Sequence, residues 1–411
     1  MKAKSVQIAL FLGLAGCGAA PSDSAQAPGG RPFTVSEVAT FNAPWAMSFL
    51  PGSGVPLTKL ALVTEKGGKL WLVDTGNGHK REVTGAPTVV SQGQGGLLDV
   101  VAAPSFAGDN MVYLTFSEPS QQGGSQLALA RAKLSDIPTS PKLTGLQVIW
   151  RNPTGGTGGH FGARIAFAPD GGSLFLSAGE RQRFEPAQDV SLPMGKVLHL
   201  TLDGKPVADN PGAGRTGAAS VKVTDPPEDS EVAKTAASRT VNWPGSNLTP
   251  AETWTLGHRN PLGLAFAPDG RLWEVEMGPK GGDELNLITR GRNYGYPRVS
   301  NGENYNDVPI PDHRAGDGFE APKLDWTPVI SPGGMVIYSG DLFPQWKGDA
   351  LIAALSGKAL VHVDIDGDKA RKADQWDMGN RIRAVDQGPR GEVYLLEDGP
   401  NARLLRLEPA K

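Results

Sequence analysis

Short apolar runs alternate with tight polar turns along the chain, and no long stretch carries a 3.6-residue period. One unit recurs: an apolar strand, a turn with proline, and a second apolar strand. Ala46 to Leu50 precedes Pro51, and Leu60 to Thr64 follows. Leu98 to Ala102 precedes Pro104, and Met111 to Phe116 follows. Ile165 to Ala168 runs through Pro169-Asp170-Gly171 into Leu174 to Ser177, and Leu264 to Ala267 runs through Pro268-Asp269-Gly270 into Leu272 to Val275. Met335 to Tyr338 pairs in the same way with Leu351 to Leu355, and Ile382 to Asp386 with Val393 to Leu396. Proline fixes φ at the first corner of such a turn, and glycine accepts positive φ at a later one.

A third strand follows several units, as in Lys69 to Asp74, Lys196 to Leu202, Leu360 to Asp366 and Arg403 to Glu408. One such antiparallel blade cannot bury both of its faces, so blades must stack around an axis. Six units predict an all-β, six-bladed β-propeller of four-stranded antiparallel blades, with a β-sandwich as the competing architecture. Residues 211–252 break the pattern. They are rich in Gly, Ala, Ser, Thr and Pro and are expected to be an inserted loop between blades, not a separate domain.

Composition sharpens this picture. The 54 glycines and 34 prolines suit many turns, and a net charge of −3 without a basic stripe argues against nucleic acid as a partner. The single cysteine, Cys17, rules out an internal disulfide. Lys2 and Lys4 precede an apolar run, Val6 to Ala15, that is too short to span a bilayer. The run ends in Leu14-Ala15-Gly16-Cys17, which resembles a bacterial lipobox; an ordinary signal peptide with a chance cysteine is the alternative. The expected organisation is a lipoprotein signal at 1–16, a flexible tether at 17–31 and one propeller domain at 32–411. Lipidation of Cys17 would place the chain on the periplasmic side of a membrane, touching it through the anchor only.

Four glycine-flanked polar clusters are candidates for chemistry: Gln92 to Asp99; Gly158 to Arg164 with Glu180; Gly257 to Pro261 with Glu276 to Glu284; and Asn380 to Arg383. His160 is a candidate general base, because an imidazole titrates near neutral pH, and Glu180 is placed to orient it. Arg259, Arg381 and Arg383, with Asn260, offer planar forks to a ligand bearing several carboxylates. Gly278 and Pro279 present carbonyls beside Asp283 and Glu284, a donor set suited to Ca²⁺. Each feature also has an ordinary reading: a structural loop histidine, a solvent-facing arginine pair, a turn-capping Gln94. The Asp364 to Asp368 run lacks the full ligand pattern of a calcium loop and reads as a hairpin turn.

With those motifs in order, the chain resembles the soluble aldose sugar dehydrogenases that use pyrroloquinoline quinone (PQQ), relatives of soluble quinoprotein glucose dehydrogenase. GQGGLLDV at Gly93 to Val100, GHRNP at Gly257 to Pro261 and GPKGGDELNLI at Gly278 to Ile288 carry the resemblance. NYGYP at Asn293 to Pro297 and RIR at Arg381 to Arg383 extend it, over about Phe41 to Leu407. The resemblance implies that His160 takes the proton from the sugar's anomeric hydroxyl, with Glu180 as its acidic partner. It implies that Gln94, His160, Arg259, Asn260, Arg381 and Arg383 contact PQQ, with Arg259 also assisting catalysis. The carbonyls of Gly278 and Pro279 would bind a Ca²⁺ that polarises the quinone, and Glu284 and Tyr294 a structural Ca²⁺. The implied reaction converts an aldose to its lactone and passes electrons to an external acceptor (a quinone, cytochrome or dye), in a monomer or dimer. The chain departs from its glucose dehydrogenase relatives where they carry a quinone-binding lysine: Ser356 stands there, with Lys358 close by. The 211–252 insertion is longer than expected and precedes GHRNP, so it is expected above the cofactor. The competing functions are a propeller lactonase and a non-catalytic sugar- or protein-binding propeller.

Overall fold

The computed structural model describes residues 30–52 and 59–410. The expected signal at 1–16, Cys17 and all but the last two residues of the tether lie outside the described residues. Among the described residues no helix is long and apolar enough to cross a membrane.

Among the described residues the strands form six four-stranded antiparallel sheets and one two-stranded hairpin. The first strand of each sheet lies innermost: Pro44–Phe49, Leu97–Ala102, Gly162–Phe167, Pro261–Phe266, Pro332–Ile337 and Ile382–Gln387. Each of these six touches the next, and the last touches the first, which closes the ring of a six-bladed propeller. The second strands are buried on both sides, as in Leu60–Glu65, Ala350–Ala354 and Val393–Glu397, because a neighbouring blade covers each face. There is accordingly no single core. Six apolar layers, one between each pair of adjacent blades, do that work. Leu72 and Leu114 belong to one layer, Leu129 and Leu176 to the next.

The ring closes with strands from both ends of the chain. Phe33–Phe41 pairs antiparallel with Ala402–Pro409, so the sixth blade takes its outer strand from the beginning of the chain.

Every inner strand slips register near its start, at Pro44/Met47, Leu97/Val100, Gly162/Ile165, Pro261/Gly263, Pro332/Gly334 and Ile382/Ala384. An extra residue bends a strand and re-aims its side chains. All six slips fall at one rim, and the candidate clusters sit on that rim.

Residues 211–252 correct an expectation. They interrupt the third blade, between its third strand Lys196–Thr201 and its outer strand Thr253–Leu256, rather than joining two blades. Nor are they structureless: Ser220–Thr224 pairs with Ser238–Asn242, and a turn of helix, Ser230–Ala233, sits between them. Val221, Val223 and Val241 pack on Leu192 and Met194, which gives the hairpin a small core of its own.

Candidate functional site

His160 and Glu180 stand on two loops pinned by backbone strain and buried cations. His160, Ala163, Arg181, Gln182 and Phe184 all have positive φ, a cluster of the kind that collects at functional sites. Gly179 is required beside them, since a Cβ there would lie 2.2 Å from the His160 carbonyl. The Arg181 guanidinium bonds the carbonyls of Gly159, Ser125, Gly156 and Gly158 and lies 3.9 Å from the centre of the Phe161 ring. Arg183 donates to the carbonyls of Arg181, Thr157 and Thr224.

The His160 Nδ1 lies 2.5 Å from Glu180 Oε1, both groups being buried. The second Glu180 oxygen accepts from the Arg183 and Phe184 amides. The carboxylate is thereby fixed, and Nε2 is the ring nitrogen without a partner among the described residues. Burial, then the Arg259 charge, holds the His160 imidazole below its ordinary pKa, against the pull of Glu180. Burial by itself would raise the Glu180 carboxyl, but the hydrogen bond and charge of His160, then Arg259, outweigh it and bring it below its usual value. A neutral imidazole oriented by a carboxylate is the arrangement of a general base.

Two cavities meet at this pair. His160 and Arg259 face an outer cavity of ≈ 330 Å³, while their neighbours Phe161 and Asn260 face an inner one of ≈ 250 Å³ on the propeller axis. The inner cavity is also lined by Gln94, Arg381 and Arg383, so four of the six sequence candidates for quinone contact are brought together there with Asn260, while His160 and Arg259 line the outer cavity. Trp45, Leu98, Leu262, Met277 and Leu355 supply flat apolar walls. Gln94 Oε1 accepts from the His160 amide at 2.7 Å and ties the two cavities together. Asp398 braces both arginines, bonding Arg381 Nε at 3.0 Å and Arg383 at 3.0 and 3.1 Å.

Lys66 completes this lining and escaped the sequence reading. It follows a strand and precedes Gly67-Gly68, so it looks like an ordinary lysine in a hairpin turn. Its Nζ donates to the Gly93 carbonyl at 2.7 Å, and burial, then Arg383, lowers its pKa. Three cations against one carboxylate leave the cavity with an excess positive charge. Lys358 does not line it; Ser356 bonds the Ser331 hydroxyl at 2.8 Å, and Ser331 and Leu355 occupy that wall.

The expected metal ligands divide into two places. The Gly278 carbonyl accepts from Arg259 Nη1 at 2.6 Å, and the buried Pro279 carbonyl accepts no hydrogen bond among the described residues. Asp283 is not free for a cation: its oxygens accept from the Gly278, Ile330 and Ser331 amides. Glu284 and Tyr294 belong to a buried polar nest with His258, Glu274, Glu276 and Asn286. Carboxylate oxygens of Glu274 and Glu276 and a ring nitrogen of His258 lie within 4.8 Å of one another. Glu274 Oε1 and Asn286 Oδ1 are buried acceptors without a donor among the described residues. Burial and repulsion from Glu276 push the Glu274 and Glu284 carboxyls well up. Orphaned oxygens among mutually repelling carboxylates fit a hard cation. Glu276 links the nest to the site, since its Oε2 accepts from the Arg259 and Asn260 amides at 2.5 and 3.1 Å.

The family model "Glucose / Sorbosone dehydrogenase" matches residues 41–223 and 240–406. The aldose sugar dehydrogenase YliI of Escherichia coli K12 is 36% identical over 374 residues, 89% of this chain and 90% of that protein. The crystal structure of soluble aldose sugar dehydrogenase from E. coli in the apo form superposes with a TM-score of 0.78 at 34% identity, over 92% of this chain and 100% of that one. The PQQ-bound aldose sugar dehydrogenase of Streptomyces coelicolor gives a TM-score of 0.68 at 27% identity, over 92% and 98%.

Proposed function

The chain belongs to the glucose/sorbosone dehydrogenase family, and from that footing we propose that it oxidises aldoses at C1 to lactones with PQQ and Ca²⁺. The observation that carries the reading is the back-to-back placement of His160 and Phe161, and of Arg259 and Asn260, on two adjoining cavities. A base in the outer cavity thereby adjoins a cationic, flat-walled inner cavity suited to an aromatic polycarboxylate.

Gln94, Asn260, Lys66, Arg381 and Arg383 would hold the quinone. The carbonyls of Gly278 and Pro279 would hold one Ca²⁺, and Glu284 with the residues around Tyr294 the other. When bound, PQQ supplies the two-electron acceptor that no side chain provides, and Ca²⁺ makes it more electrophilic. The protein's own part is proton transfer and positioning. His160 Nε2 takes the anomeric hydroxyl proton as the C1 hydrogen departs with its electron pair, leaving the C=O bond of the lactone. Glu180 fixes the ring and stabilises the imidazolium that forms. The buried Arg259 sets positive charge beside developing oxyanion character. Electrons would then pass to an external quinone, cytochrome or dye. Lipidation at Cys17 on the periplasmic side is part of the same proposal.

The test is reconstitution of the purified chain with PQQ and Ca²⁺, followed by dye reduction with a panel of aldoses. Turnover is expected with at least one aldose, and none despite measured quinone binding overturns the proposal. His160→Ala should bind quinone but lose roughly 10²–10⁴-fold in turnover.

A further inference from the structure

One segment stands apart from the family: residues 224–239 fall in the gap between its two matched stretches. That segment is the tip of the hairpin inserted in the third blade, and it forms a wall of the outer cavity. Pro227 and Glu228 line this cavity together with His160, Arg259, Phe184 and Tyr305.

The tip is held in place from several sides. Asn306 Nδ2 donates to Asp229 Oδ2 at 2.6 Å, and Asp229 Oδ1 accepts from the Val232 amide at 2.8 Å. Ser230 bonds Glu185, and Arg183 Nε donates to the Thr224 carbonyl at 2.7 Å. The wall is therefore fastened to the loop that carries Glu180 and to the loop that carries Tyr305.

We infer that this tip is a specificity wall, in which Glu228 selects neutral and amino aldoses and rejects uronic acids. The inference rests on the aldose-oxidising reading above. Its ground is the charge inventory of the outer cavity. Glu180 has both oxygens committed to His160 and to two amides. Arg259 commits Nη1 to the Met277 and Gly278 carbonyls, and its Nε, without a partner among the described residues, is buried. Glu228 has no hydrogen-bond or ion-pair partner among the described residues, and its side chain is exposed. It is the carboxylate left to meet a ligand.

The volume decides the scale. A cavity of ≈ 330 Å³ is at the small end of ligand pockets, which run roughly 300–1,000 Å³. A sugar with C1 at His160 fills much of it and brings its remaining substituents within reach of Glu228. Hydroxyls or an ammonium on that part of the ring can donate to the carboxylate, and a second carboxylate there meets like charge. Phe184, Tyr296 and Tyr305 give the C–H faces of a pyranose aromatic surfaces to lie against.

The experiment uses the full chain loaded with PQQ and Ca²⁺. It compares kcat/KM for glucose, glucosamine and glucuronate in the wild type, Glu228→Gln and Glu228→Lys, with quinone affinity measured alongside by absorbance titration. The glucuronate-to-glucose ratio should rise about ten-fold in Glu228→Gln and further in Glu228→Lys, and glucosamine should fall relative to glucose. Quinone affinity should stay as in the wild type. Ratios unchanged in both variants overturn the inference while leaving aldose oxidation standing. No turnover of any aldose by the wild type overturns both.

Discussion

Arg164 Nη2 in the third blade donates to the Gly333 carbonyl of the fifth at 2.6 Å, across the propeller axis. The same guanidinium bonds the Leu262 carbonyl and Asp99 Oδ1, and it lies 4.0 Å from the centre of the Trp45 ring. One side chain therefore joins five blades beneath the inner cavity. Arg164→Met leaves the buried Asp99 without its ion pair, a change that costs about 3–5 kcal/mol. Thermal unfolding followed by circular dichroism should show a clearly lowered Tm, with Arg164→Lys between wild type and Met because a single ammonium cannot reproduce the fork.

The pH profile should report His160. Turnover requires the neutral ring, so kcat/KM should rise with pH as the imidazolium loses its proton. Burial, then Arg259, lowers that pKa, so the midpoint should fall below the ordinary value of about 6.5. Glu180 pulls the same pKa upward. Glu180→Gln should therefore move the acid limb to still lower pH while reducing the plateau. A limb that stays fixed or moves to higher pH contradicts the assignment.

Lys66 should strengthen quinone binding. Lys66→Met is expected to weaken PQQ affinity about ten-fold by absorbance titration of the unloaded protein, and added salt should narrow the difference. Lys66→Arg should recover much of the loss. Equal affinity in Lys66→Met would show that Arg381 and Arg383 suffice.

Calcium should stabilise the fold through the Glu284 nest. At a hundred-fold excess over its Kd, a ligand bound only by the native state contributes about 2.7 kcal/mol. Adding Ca²⁺ to chelator-treated protein should raise Tm by a few degrees. Glu284→Gln, with Glu274→Gln beside it, should blunt that response.

Glu252, at the foot of the inserted hairpin, offers a test remote from the site. Burial pushes its carboxyl up to about 7, although the Trp150 indole donates to it at 3.1 Å. The folded state thus holds its proton more tightly than the unfolded chain. Stability from this group is present below the ordinary carboxyl range and is lost as pH rises toward 7. Above that pH the difference is on the order of 3 kcal/mol. Glu252→Gln should raise Tm clearly at pH 8 and little at pH 4.5.

The propeller was legible because its inner and second strands are apolar on both faces and are separated by proline turns. The outer strands were not. Each residue of Lys80–Glu82 is exposed, and Lys369–Asp377 is mostly so, because only one edge of each is covered. The inserted hairpin hid for a similar reason, with three valines providing its apolar side amid Ser, Thr and Lys. His160, Glu180, Gln94, Asn260 and the arginines were found through the glycines that their tight loops need. Lys66 stands before Gly67-Gly68 in what looks like an ordinary hairpin turn, and Glu228 has no flanking glycine. They acquire meaning only when ring closure and the hairpin fold carry them to a cavity.

The pairing of Phe33–Phe41 with Ala402–Pro409 also governs how the molecule is made. The partner of the first strand is synthesised after all the other blades, and elongation at roughly 5–20 residues per second separates the two by roughly 20–75 s. Throughout that interval a nascent chain can stack blades one after another, but it must carry Phe33–Phe41 unpaired. Completion of the ring, and with it the assembly of Arg381 and Arg383 opposite Gln94, therefore waits until Ala402–Pro409 has emerged from the ribosome.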